Sequence, residues 1–150
     1  MAITDFFDRG CLLNREGTAF AMDGQRWTFG EAQGITCKVA HALLELGLPK
    51  ETKAAVLSAN HPLSWMCVLG LWRAGFVWVP VNPRASAPEQ QQLVHAFDVE
   101  VLFFQHKFWP VVEQLQSQCP RLRHLVCIDG TSPGCRSLPE WIAGQPSTLP

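Results

Sequence analysis

The residues with the clearest capacity to bind a ligand lie in the run 79–84, where an apolar stretch ends in two prolines and an arginine. Proline fixes φ and disfavours helix in the residue before it, so this exit should be rigid and extended. We expect it to present Asn82 and Arg84 at the carboxyl-terminal rim of a parallel sheet. A guanidinium there can hold an anionic group through two hydrogen bonds. The plainer alternative is a surface ion pair between Arg84 and Glu89, and we favour this plainer role.

A second polar pair, Asn60 and His61, follows another apolar run, at the end of the strand where parallel sheets bind ligands. Either residue could instead cap the helix that should begin at Pro62, and we favour this plainer role. Ser58 or Ser64 could in principle assemble with His61 and Asp98 into a nucleophile triplet, but any chain of this size offers such triplets by chance. No GxSxG motif is present, so we assign no catalytic residue.

The sequence contains neither of the glycine-rich phosphate motifs, GxGxxG and GxxxxGK followed by Ser or Thr. Gly70 and Gly75 have the outer spacing of the second motif, but Phe76 and Val77 stand where lysine and a hydroxyl residue are needed. Both glycines also fall at the predicted carboxyl end of a helix, whose partial negative charge repels phosphate. We therefore assign them to helix packing.

Large aromatic residues are concentrated in the helix predicted at 62–74 and in the strand after it, at Trp65, Trp72, Phe76 and Trp78. The apolar density of this helix is too high for a one-sided surface helix, so it should be buried nearly all round. Core or interface packing is favoured over a platform for ligand stacking. We expect helix 62–74 to contact a partner surface, either the remainder of a longer chain or a second subunit in a homodimer.

Composition excludes several classes of function. A formal net charge of −1 gives no field to recruit nucleic acid, and no apolar run reaches the length of about 18 residues that a membrane span needs. The six cysteines have no CxxC spacing and the five histidines are scattered, so a metal site is not expected. Without a secretory signal, we expect reduced thiols and a cytoplasmic protein.

The order of elements predicts one α/β domain over 1–150, with a mainly parallel sheet flanked by helices. A short amphipathic helix and a hairpin around Asp23-Gly24 should come first, followed by a helix that a capping box at Thr28 and Glu31 opens and that runs to about Leu46. Continuous apolar strands then alternate with helices. The predicted strands are 53–58, 76–81, 99–104 and 124–128, and the predicted helices between them are 62–74, 86–97 and 107–118. A second capping box at 137–140 should start a short helix, and 144–150 should be loop or linker.

Three stretches carry a family resemblance, in the right order and spacing: WTFGEA at 27–32, VLSANHP at 56–62 and LWRAGFVWVPVNPR at 71–84. Together they resemble the first two core motifs of the adenylate-forming superfamily, which includes acyl-CoA synthetases, luciferases and peptide-synthetase adenylation domains. The Asn-Pro-Arg ending is most similar to the acyl- and aryl-CoA synthetase branch. Trp27 and Trp78 stand where that family often has tyrosine.

The resemblance implies an N-terminal portion of a two-step ligase that uses ATP, Mg²⁺ and CoA. The family's Ser/Thr/Gly-rich phosphate loop, adenine-pocket motif, ribose-binding aspartate and late catalytic lysine have no counterpart in these 150 residues. We therefore expect a chain that is catalytically incomplete by itself and carries no cofactor alone. In some CoA ligases the arginine of Asn-Pro-Arg contacts the CoA nucleotide, so Arg84 is the one residue to which the resemblance gives a role. The alternative function is a non-catalytic module for nucleotide or CoA binding, or for dimerisation.

Overall fold

The computed structural model describes residues 2–150 as an ordered series of helices and strands. Helix α1 (Ile3–Leu13) leads into a hairpin of strands β1 (Thr18–Met22) and β2 (Gln25–Thr28), and helix α2 (Phe29–Leu44) follows. The next elements alternate: β3 (Lys53–Leu57), α3 (Pro62–Arg73), β4 (Val77–Pro80), α4 (Ala87–Ala96) and β5 (Val101–Phe104). The chain ends with a 3₁₀ turn (His106–Phe108), α5 (Trp109–Gln118), β6 (His124–Cys127), β7 (Arg136–Ser137) and α6 (Leu138–Ile142).

The five strands from β3 to β7 form one parallel sheet with the order β4-β3-β5-β6-β7. Alternate residues point to opposite faces, as strand geometry requires. Ala54, Val56 and Phe103 pack on one face with α2, α3 and α6, whereas Ala55 and Phe104 pack on the other with α4 and α5. The predicted α/β fold, with a parallel sheet covered on both faces, is confirmed.

The hairpin and the start of α2 follow the local sequence signals closely. Asp23 and Gly24 adopt φ of 52° and 76°, the positive values that a two-residue hairpin turn needs. The Glu31 N–H donates to Thr28 Oγ1 at 3.1 Å, and the Thr28 N–H donates to Glu31 Oε2 at 2.8 Å. The predicted hairpin and capping box are therefore confirmed.

An ion pair ties the first three helices together. Arg73 at the end of α3 donates to both carboxylate oxygens of Asp8 in α1, with Nη1 to Oδ2 at 2.8 Å, and its Nε donates to Thr36 Oγ1 in α2 at 2.9 Å. The Arg73 side chain is only 4% exposed, so its charge depends on these partners. Gly70 lets α3 approach α2 closely, because a Cβ there would lie 2.5 Å from Val39 Cγ1. The assignment of Gly70 to helix packing is confirmed.

The structure corrects several details of the sequence-based prediction. Helix α2 ends at Leu44 rather than at Leu46, and the helix predicted from Lys107 begins with a 3₁₀ turn. The capping box predicted at 137–140 is wrong, since the Ser137 side chain makes no cap hydrogen bond; the Ser137 backbone pairs with Cys127 in β7. Strand β7 itself was not predicted. Residues 144–150 contain no helix or strand.

Large apolar side chains are exposed on α1, at Ile3, Phe6, Leu12 and Leu13. Helix α1 is amphipathic as predicted, but its buried residues are Thr4 and Cys11. None of the helices in residues 2–150 is both long and apolar enough to cross a membrane.

Candidate functional site

The carboxyl ends of β3, β4 and β5 bring three loops to one edge of the sheet, because all three strands are parallel. From β3 the chain runs outward to β4, whereas from β5 it runs in the opposite direction to β6. Neighbouring strands whose connections diverge leave a crevice at their carboxyl ends, and open α/β sheets bind ligands there. The crevice between β3 and β5 is therefore the candidate functional site.

Gln105 fixes the two loops that border this crevice. Its side-chain Oε1 accepts the N–H of Ala59 at 2.8 Å, and its own N–H donates to the carbonyl of Leu57 at 3.2 Å. The residue is buried, so neither bond competes freely with water. Gln105 was not among the residues predicted from the sequence, since a single glutamine after an apolar strand does not indicate that its side chain bonds a neighbouring loop.

A cavity of about 590 Å³, here called the cationic groove, opens at this edge. Its lining residues are Ala59, Asn60, Asn82, Pro83, Arg84, Lys107 and Phe108. Arg84 therefore lies where it was expected, at the rim of the sheet. Lys107, which the sequence analysis treated only as the start of a helix, adds a second cation from the loop after β5. Its Nζ lies 5.3 Å from the centre of the Phe108 ring, within the range of a cation–π contact.

Hydrogen bonds hold the turn that carries Arg84. Asn82 Oδ1 accepts the Arg84 N–H at 2.9 Å, and Nε2 of the buried Gln90 donates to the Asn82 carbonyl at 3.0 Å. The ion pair between Arg84 and Glu89 was the wrong alternative, because Glu89 accepts the N–H and O–H of Ser86 at the start of α4. These hydrogen bonds lower the pKa of Glu89.

A second cavity, here called the aromatic cavity, lies beside the groove and has a volume of about 620 Å³. Its lining residues come from the hairpin, from α3 and from the ends of β3 and β4, and they include Phe20, Asn60, His61, Trp65, Val68 and Trp78. Ala59 and Asn60 line both cavities. The predicted helix-cap role of His61 is confirmed, since its Nδ1 accepts the N–H of Leu63 at 3.1 Å.

Three tryptophans form a cluster at the aromatic cavity. The ring centroids of Trp65, Trp72 and Trp78 lie 5.6–5.9 Å apart, with mutual angles of 76–79°, the edge-to-face arrangement that aromatic rings prefer. Trp65 is 42% exposed although most of α3 is buried, so helix 62–74 is covered nearly all round except at this ring. The Trp78 Nε1–H is buried without a conventional acceptor.

The remaining sequence candidates do not assemble into a catalytic group. The Ser58 and Ser64 hydroxyls each donate to a backbone carbonyl at 2.6 Å, of Ala59 and His61 respectively. Asp98 precedes β5 at the opposite, amino-terminal edge of the sheet, where it lies 4.0 Å from Arg121. Among residues 2–150, no group of three or more His, Cys, Asp or Glu side chains could hold a metal ion.

The six cysteines are free thiols, and five of them are buried. Burial raises the pKa of each, most strongly at the fully enclosed Cys67. A raised pKa keeps the thiol protonated at neutral pH and makes it a poor nucleophile. The five buried cysteines therefore behave as small apolar core residues.

Comparison with known proteins shows where this fold recurs. The chain is 29% identical over 128 residues to the 4-hydroxybenzoate–CoA/benzoate–CoA ligase of Rhodopseudomonas palustris (strain ATCC BAA-98 / CGA009), covering 85% of this chain and 24% of that protein. The anthranilate CoA ligase AuaEII, solved in complex with anthranoyl-AMP, superposes with a TM-score of 0.93 at 24% identity over 99% of this chain and 29% of its own. For the N-terminal domain of FACL13 from Mycobacterium tuberculosis, the TM-score is 0.87 at 19% identity, over 99% of this chain and 37% of its own.

The chain thus spans about a quarter of the length of the curated relative, and the structural likeness places its fold in the N-terminal domain of acyl-CoA ligases. The family model described as "AMP-binding enzyme" matches residues 7–147. Since that match covers nearly all of the chain, this protein belongs to the AMP-binding enzyme family and corresponds to an N-terminal portion of such an enzyme.

Proposed function

We propose that these 150 residues are the N-terminal part of an ATP-dependent acyl- or aryl-CoA synthetase. In that reaction a carboxylate oxygen attacks the α-phosphorus of ATP, pyrophosphate leaves, and an acyl-adenylate forms. The CoA thiolate then attacks the acyl carbon and displaces AMP. The observation that carries the proposal is the family match over residues 7–147 in a chain that spans only 24% of a CoA ligase.

Within such an enzyme, the chain's own contribution is the scaffold of the sheet and a contact to the CoA nucleotide. The cationic groove fits this role, since Arg84 and Lys107 offer two positive charges to phosphate oxygens at the crevice between β3 and β5. ATP and Mg²⁺ would be bound by other parts of a longer chain, because residues 1–150 contain no glycine-rich phosphate motif.

Catalytic incompleteness is tested by ATP–pyrophosphate exchange with the 150-residue chain. We expect no exchange above background with benzoate, 4-hydroxybenzoate or octanoate. Exchange that depends on any of these acids would contradict the proposal that this part of the enzyme is inactive alone.

The CoA contact is tested separately, by calorimetric titration of CoA into the chain and its variants. Arg84→Gln and Lys107→Gln should each weaken binding about two- to fivefold, the effect of removing one exposed ion pair. Arg121→Gln is the matched control, because Arg121 lies at the opposite edge of the sheet and should leave the affinity unchanged. Equal effects of all three variants would show that the affinity for CoA depends on the net charge of the chain and not on the cationic groove.

A second candidate function is association through apolar surface, with either the remainder of a ligase chain or a second copy. The favouring observation is the exposure of Trp65 on helix 62–74, together with Phe6 and Leu13 on α1. Light scattering of the dilute chain tests the second copy, and a monomer at all concentrations would exclude a homodimer. We also propose a cytoplasmic location, in keeping with the free cysteines.

A further inference from the structure

The aromatic cavity has the size and walls of a small-molecule site, although the proposed contact to CoA does not use it. Its volume of about 620 Å³ falls in the range of about 300–1,000 Å³ that ligand pockets occupy. Phe20, Trp65, Val68 and Trp78 supply apolar walls from three different elements. Because the tryptophans pack edge to face, each ring is held in place by its neighbours before any ligand arrives.

The cavity carries no charge of its own. Among residues 2–150, none of its lining side chains is Lys, Arg, Asp or Glu. His61 is its one titratable group, and Nδ1 must be unprotonated to accept the Leu63 N–H. A charged ligand would lose hydration in this cavity without finding an oppositely charged side chain in its wall, so the cavity favours a neutral one.

Polar groups collect in one part of the cavity wall. Ser58 and Ser64 use their hydroxyl hydrogens on backbone carbonyls, which leaves the oxygen lone pairs as acceptors. Asn60 adds an amide with both donors and an acceptor. In neutral His61 the proton resides on Nε2, since Nδ1 is an acceptor. A ligand with a single hydroxyl or amide group would find both kinds of hydrogen-bond partner here.

We propose that the aromatic cavity binds a neutral aromatic molecule that carries one hydroxyl or amide group, at a site distinct from the cationic groove. The ring packs against Trp65 and Trp78, and the polar group meets the wall formed by Ser58, Asn60 and Ser64. Ala59 and Asn60 line both cavities, but Arg84 and Lys107 line only the groove, so binding in the aromatic cavity uses neither cation.

The proposal is tested by calorimetry with two probes of nearly equal shape, neutral 2-naphthol and anionic 2-naphthoate, on the 150-residue chain at pH 7. We expect 2-naphthol to bind at least about tenfold more tightly. Ala21→Trp, which places a large ring in the cavity wall, should weaken 2-naphthol binding at least about tenfold. Ala96→Trp is the matched control on the exposed end of α4 and should change nothing. Near-ultraviolet circular dichroism verifies that both variants are folded.

A second variant keeps the test informative if Ala21→Trp fails to fold. Trp65→Leu removes the exposed ring of the cluster and should also weaken 2-naphthol binding, whereas Arg84→Gln should leave it unchanged. Weaker CoA binding in Arg84→Gln with 2-naphthol affinity unchanged would show that the two sites are separate. Equal affinity for both probes, or no effect of either cavity variant, would overturn the proposal. So would 2-naphthol binding that declines as sedimentation shows dimers forming, because a second copy would then occupy the cavity.

Discussion

Replacing Asp8 with alanine should destabilise the chain far more than an ordinary surface substitution. The change leaves the Arg73 guanidinium, whose side chain is 4% exposed, without its carboxylate partner. Removing one member of a buried ion pair costs about 3–5 kcal/mol, because the remaining charge is neither paired nor hydrated. Asp8 itself is 20% exposed, which lets water approach the empty site, so we expect the lower end, about 3 kcal/mol.

The opposite substitution should cost less. Arg73→Met removes the charge that requires burial and keeps most of the side chain's packing, while Asp8 can be hydrated through its exposed fraction. We expect a loss of about 1–2 kcal/mol, mainly from the hydrogen bonds that Arg73 made to Asp8 and Thr36. The pair is thus asymmetric: the chain tolerates losing the cation better than losing the anion.

Thermal and urea unfolding measure both effects. For a chain of this length 1 kcal/mol shifts Tm by about 2–4 °C, so Asp8→Ala should lower Tm by about 6–12 °C. Arg121→Ala is the control. The Arg121 side chain is 59% exposed, so its ion pair with Glu100 should contribute less than about 1 kcal/mol to stability. If Arg73→Met proves as damaging as Asp8→Ala, the explanation through a stranded buried charge is wrong.

The same pair predicts a dependence on pH. Burial alone would raise the pKa of Asp8, but hydrogen bonds from Arg73 and Gln33 and the Arg73 charge outweigh it and lower the pKa overall. Since the folded pKa lies below the unfolded value of about 3.9, the stabilisation is complete above that pH and is lost as the pH falls through the folded pKa. The stability difference between the native chain and Asp8→Ala should therefore narrow on acidification below about pH 4. A difference that stays constant would contradict this.

Four further substitutions test local features by chemical denaturation. Gly70→Ala should cost about 1–3 kcal/mol, because the new methyl group meets Val39 where α3 crosses α2; an unchanged midpoint would disprove the close contact. Thr28→Ala should cost about 1 kcal/mol, whereas Ser137→Ala should cost almost nothing since Ser137 makes no cap bond; equal losses would refute that distinction. Glu51→Gly should raise stability by up to about 1 kcal/mol, since Glu51 has a φ of 65°, and a decrease would show that this backbone is not strained.

Local patterns predicted most elements of the fold. Apolar runs of strand length mark β3 and β5, a capping box opens α2, proline opens α3, and glycine follows α3 at Gly75. The failures are those of short or non-local structure. Strand β7 has only two residues, too few for any periodicity, and it exists because β6 offers it a partner. Ser137 matched a capping pattern, but its side chain makes no cap hydrogen bond, which a four-residue pattern alone does not reveal.

The site was predictable in part for the same reason. Arg84 could be placed at the rim because its two prolines and the preceding strand are adjacent in sequence. The positions of Lys107 and Gln105 at the site could not be predicted, since they depend on β5 lying next to β3 in the sheet. Likewise, the sequence showed that tryptophans are concentrated in α3 and β4. It did not predict the aromatic cavity, because the hairpin that lines the cavity lies far away in sequence.

The strand order also determines when the crevice can form during folding. Strands β3 and β5 are neighbours in the sheet, yet α3, β4 and α4 lie between them in the chain, so Ala54 meets Val101 only after a long loop has closed. Closing such a loop costs conformational entropy before any contact repays it, and parallel pairings of this kind form slowly. The cationic groove is therefore a late product of folding, absent from any nascent chain that has not yet reached β5. A ligand that binds the groove therefore requires β3 and β5 to be already paired.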